Sequence, residues 1–199
     1  KMDVKEAYKI ASSAIGVEYK DEKRPFYREV KSNLESKKQK NLVIFIQESM
    51  GYQFTGFLGG NTLTPNLDNL AKNYISFTNL YSNGTRSVRG LAALTSGTLP
   101  IHGVEVVKRN KSQQDYFTVA SLLKPYGYKS SFIYGGEARF DNMKSWYLGN
   151  GFDEVIEQKD YINPIFSSTW GVSDEDLVIK ANEKFKSYYE NKENFVSVM

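Results

Sequence analysis

The chain has 199 residues, 40% hydrophobic and 14% aromatic, enough apolar material for one α/β domain of ordinary size and too much for a disordered chain. Its 26 Lys and Arg against 23 Asp and Glu leave a net charge of +3 with no clustered basic face, which argues against a nucleic-acid partner. The longest apolar run, Leu42 to Ile46, is far shorter than the roughly 20 residues that cross a bilayer, and with no cysteine any metal must be held by oxygen or by the single histidine.

Residues 1 to 40 carry the solvated charge runs Lys20 to Arg24 and Lys37 to Lys40 around a short amphipathic stretch, Phe26 to Leu34, and read as a linker or arm. The first residue is Lys1, with no initiator Met or signal peptide, so a piece of something longer is expected. From Asn41 short apolar runs alternate with helical periods, the layout of a sheet covered by helices. Leu42 to Ile46 is short and rich in branched residues and predicts a buried strand. Thr64-Pro65 predicts a helix start, with Leu67, Leu70, Ala71 and Tyr74 on one face. A second strand is expected over Ile75 to Leu80, helices over Ser87 to Thr95 and from Thr118 to Leu123, and a third strand over Ser130 to Tyr134. A longer helix is expected over Asp174 to Tyr189, then a strand over Phe195 to Val198. A buried parallel strand so close to the end predicts that residues of the site lie beyond Met199, because open α/β sheets bind ligands at the carboxyl ends of their strands. No internal repeat is present.

Four places could carry chemistry. Glu48 follows the first predicted strand, where a carboxylate would face the ligand crevice and suit a divalent cation; a solvated acid at a strand end is the plain alternative. Asn83 to Gly90 lies between a strand and a helix. Its glycines allow close approach, the helix start offers N–H groups to an anion, and Arg86 and Arg89 suit phosphate or sulfate. Thr85 stands where a hydroxyl could attack, provided an ion beside it favours the alkoxide; otherwise Thr85 is an N-cap and the arginines are surface residues. His102 has no context for a triad and reads as a turn residue or one standing behind the site. The loop Tyr134 to Asn142, with Glu137, Arg139 and Asp141, could line a substrate pocket or be a solvated turn.

Together these segments resemble the alkaline phosphatase and sulfatase superfamily, and within it the lipoteichoic acid synthase and phosphoglycerol transferase branch, continuously from Asn41 to Met199. Leu42 to Gly51 resembles the family's first strand with its metal-binding Glu, matched by Glu48, and Thr64-Pro65-Asn66-Leu67-Asp68 is similar to a helix opening widespread in the superfamily. Thr85 to Arg89 falls on the sulfatase Cys-x-Pro-x-Arg signature, followed by the similar Leu91 to Gly97 and Leu99-Pro100-Ile101-His102-Gly103. Tyr134 to Met143 and Thr169 to Asp174 also look like phosphoglycerol transferase sequence, although the His and Trp of lipoteichoic acid synthases are unmatched at Tyr134 and Asp141.

The resemblance implies a three-layer α/β/α sandwich with a mostly parallel sheet, alkaline phosphatase-like, of which residues 41–199 are the N-terminal portion and residues 1–40 a linker or arm preceding it. It implies a metal-dependent transferase that moves phosphoglycerol from a phospholipid donor to a glycan or polymer hydroxyl through a phospho-threonine. Thr85 would be the nucleophile and, with Glu48, a metal ligand; Arg86, Arg89, Glu137 and Arg139 would contact substrate. The implied cofactor is a divalent ion, manganese first, with magnesium or zinc as alternatives. Threonine cannot become the formylglycine that sulfatases use, which disfavours sulfate hydrolysis, and the lack of cysteine weighs against phosphoethanolamine transferases, many of which carry several disulfides. A hydrolase using the same cradle, or a non-catalytic binding domain on this scaffold, remains open. The family is usually membrane-anchored, so an extracytoplasmic, membrane-tethered whole protein is implied, with no nucleic-acid partner. The remaining metal ligands, an Asp-His pair among them, are expected beyond Met199. These 199 residues alone should therefore bind metal poorly and be inactive, which calorimetry with manganese checks: tight stoichiometric binding would contradict it.

Overall fold

The protein is represented by a computed structural model that describes residues 2–29, 39–99 and 102–199. It divides into two compact units, Lys1–Gln39 and Lys40–Met199.

The first unit contains helix α1, Val4–Ala14, whose start is capped by the Asp3 carboxylate accepting from the Lys5 and Glu6 N–H groups at 3.0 and 3.3 Å. Ser12 Oγ donates to the Pro25 carbonyl at 2.7 Å, and the Tyr8 ring meets Phe26 edge-on at 5.9 Å. The stretch expected to be a linker or arm thus includes a helix that the charge runs obscured. The predicted amphipathic stretch Phe26 to Leu34 passes outside the described residues after Glu29, as do Lys37 and Lys38.

The second unit is built on a four-stranded sheet in the order β1 (Leu42–Ile44), β6 (Phe195–Val198), β2 (Lys129–Ile133), β3 (Glu154–Ile156), with every neighbouring pair parallel. Between β3 and β6 lie a small antiparallel hairpin, β4 (Ser167–Ser168) and β5 (Gly171–Val172), and the long helix α6 (Asp174–Glu190). Alternation along the strands sends side chains to two cores. Phe132 and Val198 face a cluster with Val88, Leu91, Val107, Trp146 and Tyr147, contributed largely by α3 (Ser87–Ser96) and α5 (Met143–Gly149). Ile133 faces Ala181 and Leu177 of α6, and Phe195 stacks on Phe185 and Tyr188 of the same helix. Helices on both faces of a parallel sheet give the expected three layers. In the middle, Ser131 Oγ donates to Ser197 Oγ at 2.9 Å, both side chains fully buried.

The helices at α2 (Pro65–Asn73), α3, α4 (Val119–Leu123) and α6 stand where sequence places them, and so do β2 and β6. Two expectations are corrected. The Leu42 to Ile46 strand is shorter and not buried: among the described residues β1 pairs only with β6, and Leu42 and Val43 are 39% and 42% exposed. Ile75 to Leu80 forms no strand, since no described strand lies beside it to take its hydrogen bonds. The apolar face of α2 is not covered, with Leu67 and Leu70 exposed. At the start of α2 the Thr64 hydroxyl bonds Asp68 Oδ1 at 3.2 Å and leaves the helix backbone uncapped by it.

Two buried aromatic neighbours test the core. Trp146 is fully buried in the larger cluster, so Trp146→Ala should destabilise the domain by about 3–5 kcal/mol in urea melts. The equally buried Tyr147 hydroxyl has no hydrogen-bond partner among the described residues, so Tyr147→Phe should leave stability within about 1 kcal/mol or raise it.

Candidate active site

Because the strands run parallel, the chain after β1, β2 and β3 emerges at one edge of the sheet. β1 continues through backbone bonds between Ile44, Ile46 and Met199, and Glu48 follows, exposed, ahead of Ser49 at a left-handed φ of +58°. The Glu48 carboxylate meets the start of α3: Ser87 Oγ donates to Glu48 Oε1 in a short hydrogen bond. The core residues Val88, Leu91 and Ala92 fix the helix from behind.

Thr85 lies two residues ahead of Ser87 and is exposed. It is not the N-cap: Arg86 occupies that position in extended conformation, and its side chain makes no capping bond. The first amides of α3 are therefore presented in the way that favours anions. The loop before them is shaped by Ser82 Oγ donating to the Gly84 carbonyl at 2.6 Å and Asn83 Nδ2 donating to the Arg89 carbonyl at 3.2 Å.

The two arginines differ. Arg86 is exposed, whereas Arg89 is half-buried, its Nε 3.5 Å from Oε2 of the buried Glu105. That ion pair draws the Arg89 side chain toward the buried carboxylate. His102 is exposed in a bend, and its carbonyl accepts from Arg109 Nη2 at 3.4 Å; its neighbours Pro100 and Ile101 lie outside the described residues.

After β2 comes Tyr134, half-buried, whose phenol is pushed up by burial and then by the carboxylates of Glu48 and Asp141. Tyr134 therefore shares the surroundings of Glu48. Asp141 and Asn142 are left-handed, at φ +55° and +60°, and are held by Lys108: its Nζ pairs with Asp141 Oδ1 and its carbonyl accepts from Asn142 Nδ2 at 2.9 Å. Glu137 and Arg139, both exposed, bond each other at 2.8 Å. With Lys144, Glu157, Gln158 and Lys159 they line a cleft of about 590 Å³. The buried Glu157 anchors it, accepting from the Ala138 N–H at 3.0 Å and pairing with Lys144 and, at 3.3 Å, Lys159.

The loop after β2 and the β4–β5 hairpin lie backbone against backbone. Val172 N–H donates to the Gly135 carbonyl at 2.9 Å, and a Cβ at Gly171, where φ is +135°, would stand 2.3 Å from that oxygen. The two glycine-containing segments singled out in the sequence are thus one packed unit.

No three of His, Cys, Asp and Glu converge on a metal site among the described residues. Glu48 and the Thr85 hydroxyl are hard oxygen donors suited to two positions around a divalent ion, so the residues present fit part of a site. Lys108 escaped the sequence reading, and Ser87 and Tyr134 lay within the segments it named without a role of their own. Nothing in spacing alone joins Ser87 to a carboxylate 39 residues earlier.

The sulfatase family profile matches residues 40–199. The chain is 26% identical over 162 residues to Phosphoglycerol transferase I from two strains of Xanthomonas campestris pv. campestris, covering 75% of this chain and 23% of those proteins, so it spans about a quarter of their length. Among solved structures it is similar to a protein in the alkaline phosphatase superfamily from Vibrio parahaemolyticus, with 47% identity and a TM-score of 0.90 over 100% of this chain and 48% of that one. It also shares the fold of lipoteichoic acid synthase LtaP from Listeria monocytogenes, at 23% identity and a TM-score of 0.71, over 80% of this chain and 39% of that one.

The Glu157 anchor makes the cleft acid-sensitive. Burial pushes its carboxyl up, but bonds from Lys144, the Ala138 N–H and Lys159 outweigh that and hold it below the ordinary carboxylate range. The stabilisation is complete above the unfolded carboxylate value of about 4.3 and disappears as pH falls through the lower folded value. Urea midpoints should therefore drop more steeply for the wild type than for Glu157→Gln between about pH 6 and about pH 3, with the variant less stable at neutral pH.

Proposed function

The chain belongs to the sulfatase family of the alkaline phosphatase superfamily, and on that basis we propose that it is the part of a phosphoglycerol transferase that carries the nucleophile, Thr85. The observation that carries this reading is the Ser87–Glu48 hydrogen bond, which brings a strand-end carboxylate to the start of α3, where Thr85 is exposed and the Arg86 side chain makes no capping bond. Enzymes of this superfamily generally depend on a divalent metal. Glu48 and Thr85 would supply part of its oxygen ligands, and such an ion, when bound, lowers the pKa of a hydroxyl beside it. Manganese is the proposed ion, with magnesium or zinc as alternatives.

The Thr85 oxygen would attack the phosphorus of a phospholipid head group. The bond from phosphorus to the diacylglycerol oxygen breaks, diacylglycerol leaves with a proton, and phosphoglycerol remains on Thr85. Charge on the non-bridging oxygens would be met by the first amides of α3 and by Arg86, with Arg89 held in place by Glu105. A hydroxyl of a glycan or growing polymer then displaces Thr85 and restores it. Glu137 and Arg139 would contact substrate from the cleft beyond β2. The donor fits the relatives described as phosphoglycerol transferases and implies a protein tethered to a membrane and working outside the cytoplasm. No helix among the described residues is long and apolar enough to cross a membrane.

The test uses the whole protein with a phospholipid donor labelled in its phosphoglycerol. The wild type should take up label at one site and pass it to an added acceptor. Thr85→Ala should take up none and lose turnover by about 10³-fold or more, and labelling that survives removes Thr85 from the role. Release of label to water in place of the acceptor would mark a hydrolase.

A further inference from the structure

We propose that Glu105, a buried carboxylate that takes part in no step of the reaction, is a positioning residue for the loop that carries Thr85, and that it acts through Arg89. Its side chain is 4% exposed. One carboxylate oxygen, Oε1, accepts from the Val106 N–H at 2.9 Å. The other, Oε2, has no hydrogen-bond partner among the described residues and faces Arg89 Nε at 3.5 Å. Burying a carboxylate is costly without a compensating cation, and Arg89 supplies one.

Arg89 in turn braces the chain ahead of Thr85. Its carbonyl accepts from Asn83 Nδ2 at 3.2 Å. Its aliphatic stem lies against Gly84, where a Cβ would stand 2.5 Å from Arg89 Cδ. Glycine at position 84 leaves room for that stem. The other end of the linkage is anchored in the interior, because Val106 and Val107 are buried in one cluster with Val88 and Leu91 of α3. Core packing therefore reaches Thr85 through Val106, Glu105, Arg89 and Gly84 in turn. Arg86, exposed at the N-cap position, remains the arginine placed to meet an anion.

This inference rests on the reading of Thr85 as nucleophile, and its test separates the two. On the whole protein, NMR order parameters of the Asn83 to Arg86 amides report the brace without any chemistry. They should fall from the rigid range, about 0.85, to about 0.6 or below in Glu105→Gln, which keeps an acceptor for the Val106 N–H and removes the charge. The same variant should slow transfer by about 10-fold or more with the donor KM unchanged within about twofold, whereas Arg86→Gln should raise KM.

Arg89→Gln alone strands a buried carboxylate and can unfold the domain. The double variant Arg89→Gln/Glu105→Gln strands no charge, and its turnover should stay within about threefold of Glu105→Gln alone. Unchanged order parameters in Glu105→Gln overturn the proposal, and so does unchanged turnover by an enzyme that takes up label on Thr85. A double variant whose donor KM climbs as that of Arg86→Gln does also overturns it, since Arg89 would then be a substrate contact. Absence of label from the wild type removes Thr85 from its role and leaves the order parameters to decide the brace.

Discussion

Parallel alignment of β1, β6, β2 and β3 sends every connection that leaves a carboxyl end to the same edge of the sheet, and the helices that return the chain must cover its faces. Glu48, Tyr134 and Glu157 are far apart in sequence and reach that edge for one reason: each follows a strand of the same direction. The hydrogen bond between Ser87 and Glu48 then joins the edge to the start of α3. Without it the carboxylate and the threonine loop would be neighbours only by topology.

The loops at this edge are held from behind by charges that do not face the same partner. Glu157, on the chain leaving β3, grips Ala138 and Lys144, while Lys108 grips Asp141 and Asn142 from the opposite end of the loop. Two left-handed residues in succession are tolerated there because Asp and Asn accept that conformation more readily than other side chains with a Cβ. Glu105 holds the Arg89 guanidinium in a comparable way on the far side of the threonine loop. Charge pairs of this kind bring geometric definition more than stability.

Much of this architecture was legible in the sequence where a local signal sufficed. Thr64-Pro65 announces α2, the apolar period announces α3 and α6, and short runs of strand-favouring residues announce β2 and β6. The signal failed where the answer depended on neighbours. Ile75 to Leu80 has the composition of a strand, but a strand exists only beside a partner. β3 is short and begins with Glu154, whose carboxylate accepts from the Tyr188 hydroxyl of α6 at 2.6 Å, a contact that no local pattern encodes. For the candidate site, Glu48 and Thr85 could be singled out by position relative to strand and helix. The serine that joins them could not, because a hydroxyl at a helix start is ordinary until the fold brings a carboxylate to it.

The buried Ser131–Ser197 pair has a consequence for assembly of the sheet. β6 is short and mostly apolar, and could slide along β2 by two residues with its pleat still in phase. Such a slide would set Ser197 opposite Lys129 or Ile133 and take its hydroxyl away from its serine partner in a dry interior. The two serines thus work as an index mark: they make one alignment of otherwise interchangeable greasy strands cheaper than its near copies, and so decide how far the chain after Phe195 advances toward the edge where Glu48 waits.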